Sequence, residues 1–329
     1  MKKNELRYFS MYSGVGGFEY GIQQTFSAFG NARKTKDLQN DISNNNNTKW
    51  RRAPAVCVGY SEIDKWASAV YKYNYGTDIK NYGDADEINA EELPDFDLLV
   101  GGFPCQAFSV AGKRRGFDDT RGTQFFNVAR IAQQKQPRLL VLENVKGLLS
   151  HDKGQTFHTI ITTLDELGYD VEWQVLNSKN HGVPQNRERV FIIGRLRGRG
   201  GQQIFPFKRT NRENNENFNQ IIQLNNPKHS QQRVYDPNGI SPTIAAGNLG
   251  GGKSPSKVVS MTNSETLRIR KLTPLECERL QGFPDDWTKY GIIDGKVKEM
   301  SNTQRYKMMG NAVTTNVVRD VMVRLLDNE

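Results

Sequence analysis

Cys105 follows a proline in the stretch Gly101-Gly102-Phe103-Pro104-Cys105-Gln106, directly after the mainly apolar run at 96–100. Most isolated cysteines are small buried fillers, but the flanking glycines, the proline and Gln106 argue for an exposed loop thiol. A thiolate adds to an electron-poor carbon once its pKa is lowered or a base takes its proton, so partners are required. Glu143 is one candidate. It ends the apolar run Leu140-Val141-Leu142, where partial desolvation favours the protonated carboxyl and lets it donate to a ring nitrogen. Arg187 and Arg189, in Gln185-Asn186-Arg187-Glu188-Arg189-Val190, are two apart at the entry to a strand, which points both to one face. Two parallel guanidinia suit a phosphate or a heterocycle carbonyl, although a salt-bridged strand explains each arginine taken alone.

A second constellation would hold a ligand. Gly14, Gly16 and Gly17 let backbone pass close to a ligand at a helix N-terminus, a pattern common to nicotinamide enzymes, methyltransferases and structural turns. Glu62, at the end of the next apolar run, suits ribose hydroxyls, and Asp84, after the expected third strand position, could read an adenine amino group.

The elements that must position these residues alternate. Short apolar runs at 6–11, 55–60, 97–100, 139–143 and 190–194 read as strands, and helical patterns start at Phe18 and cover 63–73, 125–135 and 156–167. Such alternation implies an α/β fold with a mostly parallel, doubly wound sheet. The loops after Met11, Tyr60, Val100 and Leu142 would then converge at the carboxyl ends of the strands, where ligands bind. Two stretches interrupt the pattern. Residues 30–52 are asparagine-rich and read as a flexible insertion, and 195–226 reads as a linker into a second, smaller domain.

The length of 329 residues fits one large and one small domain. Lysine and arginine number 45 against 36 acids, a net charge of +9 that favours a polyanionic partner such as nucleic acid. Cys57, Cys105 and Cys277 lie far apart with no C-x-x-C pair, so neither a disulfide framework nor a cysteine zinc site is expected, and no metal. A reducing compartment, the cytoplasm, fits best. Cys277 shares an apolar helical face with Leu272, Leu275 and Leu280 and reads as core. No signal-type apolar segment and no run near the ~18 residues of a membrane span is present, so no membrane association is expected.

Seven ordered blocks complete the reading: YFSMYSGVGGFEYGI, GYSEIDKWA, GGFPCQAFSVAGKRRGFDDTRGTQFFNVARI, LLVLENVKGLLSHDKG, NHGVPQNRERVFIIG, RKLTPLECERLQGFP and MGNAVTTNV. With them the chain resembles, over nearly all its length, the bacterial cytosine-5 DNA methyltransferases of type II restriction-modification systems. The resemblance implies a Rossmann-like S-adenosylmethionine-dependent methyltransferase domain at 1–205, completed by 303–329, and a target-recognition domain at 206–302. It implies that Cys105 adds covalently to carbon 6 of cytosine, Glu143 engages ring nitrogen 3 and the amino group, Arg189 holds the ring carbonyl and Arg187 supports the site. S-adenosylmethionine would lie against Tyr12, Gly14, Gly16 and Gly17, with Glu62 on the ribose, Asp84 on the adenine, Ile63 and Pro104 alongside, and Asn311 and Ala312 at the methionine end.

Two departures stand out. The family's loop usually begins with Asp then Phe where this chain has Ser10-Met11-Tyr12, and many members carry an aromatic residue where this chain has Ile63, which weakens adenine stacking on one face.

The implied partner is double-stranded DNA, with the target base flipped into the pocket. Gln106, Ser109, Lys113, Arg114, Arg115 and Arg121 would serve the mobile loop after Cys105, and Arg233, Tyr235, Thr243, Gly250 and Gly251 the recognition domain, with Ser230, Gln231 and Gln232 as further candidates. The resemblance further implies a monomer, associated with the nucleoid through DNA, and a cognate restriction enzyme acting on the same site without a stable complex. The alternatives are an RNA cytosine-5 methyltransferase on the same scaffold and a catalytically silent DNA-binding homologue. The intact Cys105, Glu143 and Arg189 argue against the second.

Overall fold

The computed structural model describes residues 5–31, 55–104, 124–199, 201–207, 221–226, 233–236, 238–244, 257–261 and 267–328. Cys105, Gln106, Ser109, Lys113, Arg114, Arg115, Arg121, Ser230, Gln231, Gln232, Gly250 and Gly251 lie outside these residues, as does nearly all of the 30–52 insertion.

Six strands form the central sheet: β1 (Leu6–Met11), β2 (Ala55–Ser61), β3 (Leu98–Gly102), β4 (Leu139–Val145), β5 (Tyr169–Asn177) and β7 (Glu188–Leu196), with the two-residue β6 (Gln185–Asn186) outside it. Their spatial order is β2-β1-β3-β4-β7-β5. β1 to β4 pair in parallel, while β7 runs antiparallel to both β4 and β5. The sheet is thus mostly parallel, as the alternation predicts. The expected third strand is reduced to a single parallel bridge, Tyr60 to Asn81, on the outer edge of β2. β5 is an addition to the sequence reading: Tyr169-Asp170-Val171-Glu172-Trp173 mixes charge into an edge strand and leaves no apolar run to notice.

Strict alternation explains the three layers. Leu6, Leu98, Val100, Leu139, Val141, Phe191 and Ile193 face α1 (Gly17–Asn31) and the C-terminal helix α7 (Thr315–Asp327). Phe9, Met11, Leu99, Leu140, Leu142, Val190 and Ile192 face the other way, against α3 (Gln124–Lys135) and α4 (Gln155–Glu166). With both faces covered, the strands read as continuous apolar runs. The C-terminal part of the chain forms two helices, α6 (Asn302–Asn311) and α7, broken at 312–314.

A third cluster joins Val15, Ala67 and Val70 from the first part of the chain to Leu272, Cys277, Leu280, Phe283, Met300, Met308 and Met309. It packs α2 (Lys65–Tyr75), α5 (Pro274–Leu280) and α6 together, with Cys277 fully buried in it as expected. The region between holds short strands β8 (Val234–Tyr235), β9 (Ser241–Pro242), β10 (Lys257–Met261) and β11 (Leu267–Lys271), of which β8, β10 and β11 form a small sheet. A hairpin of β12 (Tyr290–Ile293) and β13 (Lys296–Glu299) packs on α2. Part of the expected linker lies on the main sheet: Ile204 is buried, and the Ile204 and Phe205 N–H groups donate to the Glu172 carboxylate. No helix among the described residues is long and apolar enough to cross a membrane.

Candidate active site

One cavity of ≈ 490 Å³ opens at the carboxyl ends of β1 to β4. Tyr12, Gly14, Gly17, Glu62, Ile63, Pro104, Glu143, Arg187, Arg189, Asn311 and Ala312 all line it. The residues singled out in six separate sequence blocks therefore meet around one space. Gly16 and Asp84 do not line it. Gly16, at φ +85, lies against Tyr75, whose hydroxyl donates to its carbonyl, and the Asp84 carboxylate caps the short turn Ala85–Glu87.

At the reactive end, β3 and β4 are in register with Gly102 opposite Glu143. A Cβ on Gly102 would come within 3.1 Å of Glu143 Oε2, so glycine there makes room for the carboxyl group. Asn144 Nδ2 donates to the Phe103 carbonyl at 2.8 Å and holds the chain where it leaves β3. Pro104, the residue before Cys105, thus shares the cavity wall with Glu143.

Glu143 is buried, and burial raises its pKa above the ordinary carboxylate value, opposed by Arg189 and then Arg187. Arg189 Nε contacts Glu143 Oε1 at 3.0 Å. That leaves Oε2 for another partner. Arg187 is buried more deeply: Nη1 donates to the Ile244 carbonyl at 3.1 Å, and Nη2 to those of Gly310 (3.2 Å) and Ala312 (2.8 Å). Burial, then Arg189, lowers its pKa to about 9, while Glu143 works the other way. The two arginines thus divide their work, one on the carboxyl group and one on the surrounding backbone.

At the other end, Glu62 accepts from Gly14 N at 2.8 Å through Oε2 and from Asp64 N at 2.6 Å through Oε1. Burial raises its pKa despite these donors. Gly14, at φ +57, has open space where a Cβ would stand, whereas a Cβ on Gly17 would meet Val313 Cγ1 at 2.7 Å. Ile63 is 73% exposed at the rim. Tyr12 uses its hydroxyl to donate to the Gln124 carbonyl at 2.7 Å, tying this loop to the start of α3.

Thr243, in the expected recognition region, donates through Oγ1 to the Asn186 carbonyl at 2.7 Å, and β9 pairs with β6 immediately before Arg187. Arg233 is exposed, and Tyr235 lines a separate cavity of ≈ 210 Å³ with Asp236 and Arg279. Sequence reasoning missed Asn144, Asp64, Lys307, Gln185 and Gln281. Buried Gln185 and Gln281 link β6 to α5 and to the Met309 carbonyl, and Ile244 N donates to Gln185. Asp64 carries a local signal, an acid just ahead of a helix. The others bond to distant segments and carry none.

A family model described as C-5 cytosine-specific DNA methylase matches residues 6–225 and 202–327. The type II methyltransferase M1.ScrFI of Lactococcus lactis subsp. cremoris is 34% identical over 99% of this chain and 79% of its own length. M.HhaI of Haemophilus parahaemolyticus is 32% identical over 95% and 92%. In fold the chain is similar to the S. pombe Dnmt2 methyltransferase, with a TM-score of 0.69 at 20% identity over 98% of both chains. The chain belongs to the C-5 cytosine-specific DNA methylases and is a DNA (cytosine-5-)-methyltransferase.

Proposed function

We propose that the chain methylates carbon 5 of a cytosine flipped out of a short specific site in double-stranded DNA, through a covalent Cys105 adduct, and so protects that DNA from a cognate restriction enzyme. The observation that carries this reading is the convergence of Pro104, Glu143, Arg187 and Arg189 on one wall of the cavity that also holds Gly14 and Glu62.

The residues fit S-adenosylmethionine. Open space at Gly14 admits a ligand against the backbone, and Glu62 spends one lone pair of each oxygen on a backbone N–H and keeps others for ribose hydroxyls. Asn311 and Ala312 would hold the methionine end. Gly16 and Asp84 receive no contact in this reading. The cofactor supplies a methyl group on a sulfonium, an electrophile that carbon 5 takes only after activation. Cys105 provides that activation by adding its thiolate to carbon 6, which moves the ring electrons towards carbon 5. Glu143, whose pKa burial raises, donates in its protonated form from Oε2 to ring nitrogen 3, and Arg189 donates to the ring carbonyl. Arg187 keeps the walls in place. Loss of the carbon 5 proton to solvent water re-forms the carbon 5–carbon 6 double bond and expels Cys105 as the thiolate.

The recognition function falls to the 206–302 region, supported by the contact of Thr243 and Ile244 with Asn186 and Arg187. Bisulfite sequencing of plasmid DNA from a methylation-free host tests the proposal. Protected cytosines at one short motif, lost in Cys105→Ala, are expected. Complete conversion in both, with folded protein, would move the reading to an RNA substrate or a silent DNA binder.

A further inference from the structure

Lys307 Nζ lies 2.6 Å from Asp64 Oδ2, and both residues line the cavity. The pair joins positions 243 residues apart. On one side, Lys307 shares α6 with Met308, Gly310 and Asn311, which form the opposite part of the same wall. On the other, Asp64 does three things at once. Its Oδ1 caps α2 by accepting from Trp66 N (2.8 Å) and Ala67 N (3.1 Å), its Oδ2 takes the lysine, and its own N–H donates to Glu62 Oε1. Glu62 in turn accepts from Gly14 N. A continuous polar chain thus runs from α6 through Asp64 and Glu62 to the glycine loop.

Resting on the reading of this cavity as an S-adenosylmethionine pocket, we propose that Lys307 is a positioning residue for the cofactor. Through Asp64 it fixes Glu62 against the glycine loop and ties that half of the pocket to α6. The geometry favours action through Asp64, because the lysine is already engaged there and Asp64 directly adjoins Ile63, whose exposed aliphatic side chain offers no aromatic platform. The pair is partly buried, with side-chain exposures of 33% and 25%, so water screens it less than a rim pair.

Titration calorimetry with S-adenosylmethionine, and with 5′-methylthioadenosine, which lacks the amino-acid carboxylate, tests this. Asn also caps helices, so Asp64→Asn removes the ion pair and leaves the α2 cap. Lys307→Met and Asp64→Asn are each expected to weaken both ligands about tenfold, with the double variant no worse than either single one. Lys307→Arg should recover most of the affinity. In turnover the loss should fall on KM for the cofactor rather than on kcat. Unchanged Kd values with a lowered unfolding midpoint would make the pair merely structural and overturn the proposal. Loss confined to Lys307→Met and to S-adenosylmethionine would overturn it in favour of direct contact with the carboxylate. If the wild-type chain binds neither ligand, the pocket assignment itself fails.

Discussion

At the scale of single residues, two buried glutamates show how the same physics serves different ends. Glu143 is desolvated, which favours the protonated form, but a guanidinium at 3.0 Å opposes the rise. Glu19, in the first turn of α1, is fully buried beside the hydroxyls of Ser10 and Tyr71, with no ion pair among the described residues. Burial pushes its pKa up to about 7 from an ordinary 4.5. Between those values the native state binds more protons than the unfolded chain, so stability falls as pH rises from 4.5 and levels off above 7. Glu19→Gln should therefore be more stable than wild type above pH 7, by about 3 kcal/mol, with the difference vanishing below pH 4.5. Denaturant unfolding at a series of pH values measures this, and equal stability at pH 8 would refute it. Glu143 was legible as a polar residue ending an apolar run. Glu19 was not, because nothing local says which face of α1 meets β1.

At the scale of elements, the loop between β1 and α1 does its work through backbone. Gly16 and Gly14 both have positive φ, but their surroundings differ. A Cβ on Gly16 would overlap the Tyr75 ring, while one on Gly14 would enter open space. Gly16→Ala should lower stability by about 2 kcal/mol or more through strain and overpacking together. Gly14→Ala should cost only the strain, about 1 kcal/mol, and weaken ligand binding instead. Thermal unfolding with and without S-adenosylmethionine separates the two. A larger loss of stability at Gly14 would contradict the assignment. The glycine triplet was visible in the sequence as one ligand loop. Only the position of Tyr75, brought by α2, assigns its middle glycine to packing.

At the scale of the whole molecule, the sheet is completed from the far end of the chain. Val317, Val318, Val321, Met322, Leu325 and Leu326 of α7 are buried against β1, β3 and α1. At about 1.5–3 kcal/mol per buried side chain, their loss matches or exceeds a typical domain stability of about 5–15 kcal/mol. A chain ending at residue 314 should accordingly show no cooperative unfolding transition by circular dichroism, and a folded truncation would refute this. What the sequence determined by itself was local: alternating apolar runs, glycines at turns, and ordered blocks whose residue types carry the chemistry. These are legible because strand and helix periodicity and turn chemistry depend on neighbours in the chain. The tertiary structure alone decided the contacts between distant segments. It put Arg189 on Glu143, Arg187 on the Gly310 and Ala312 carbonyls, and Lys307 on Asp64. It also kept Asp84 off the cavity wall. Such pairings follow from how layers stack, and a buried polar group takes its partner from whichever segment the packing brings within reach.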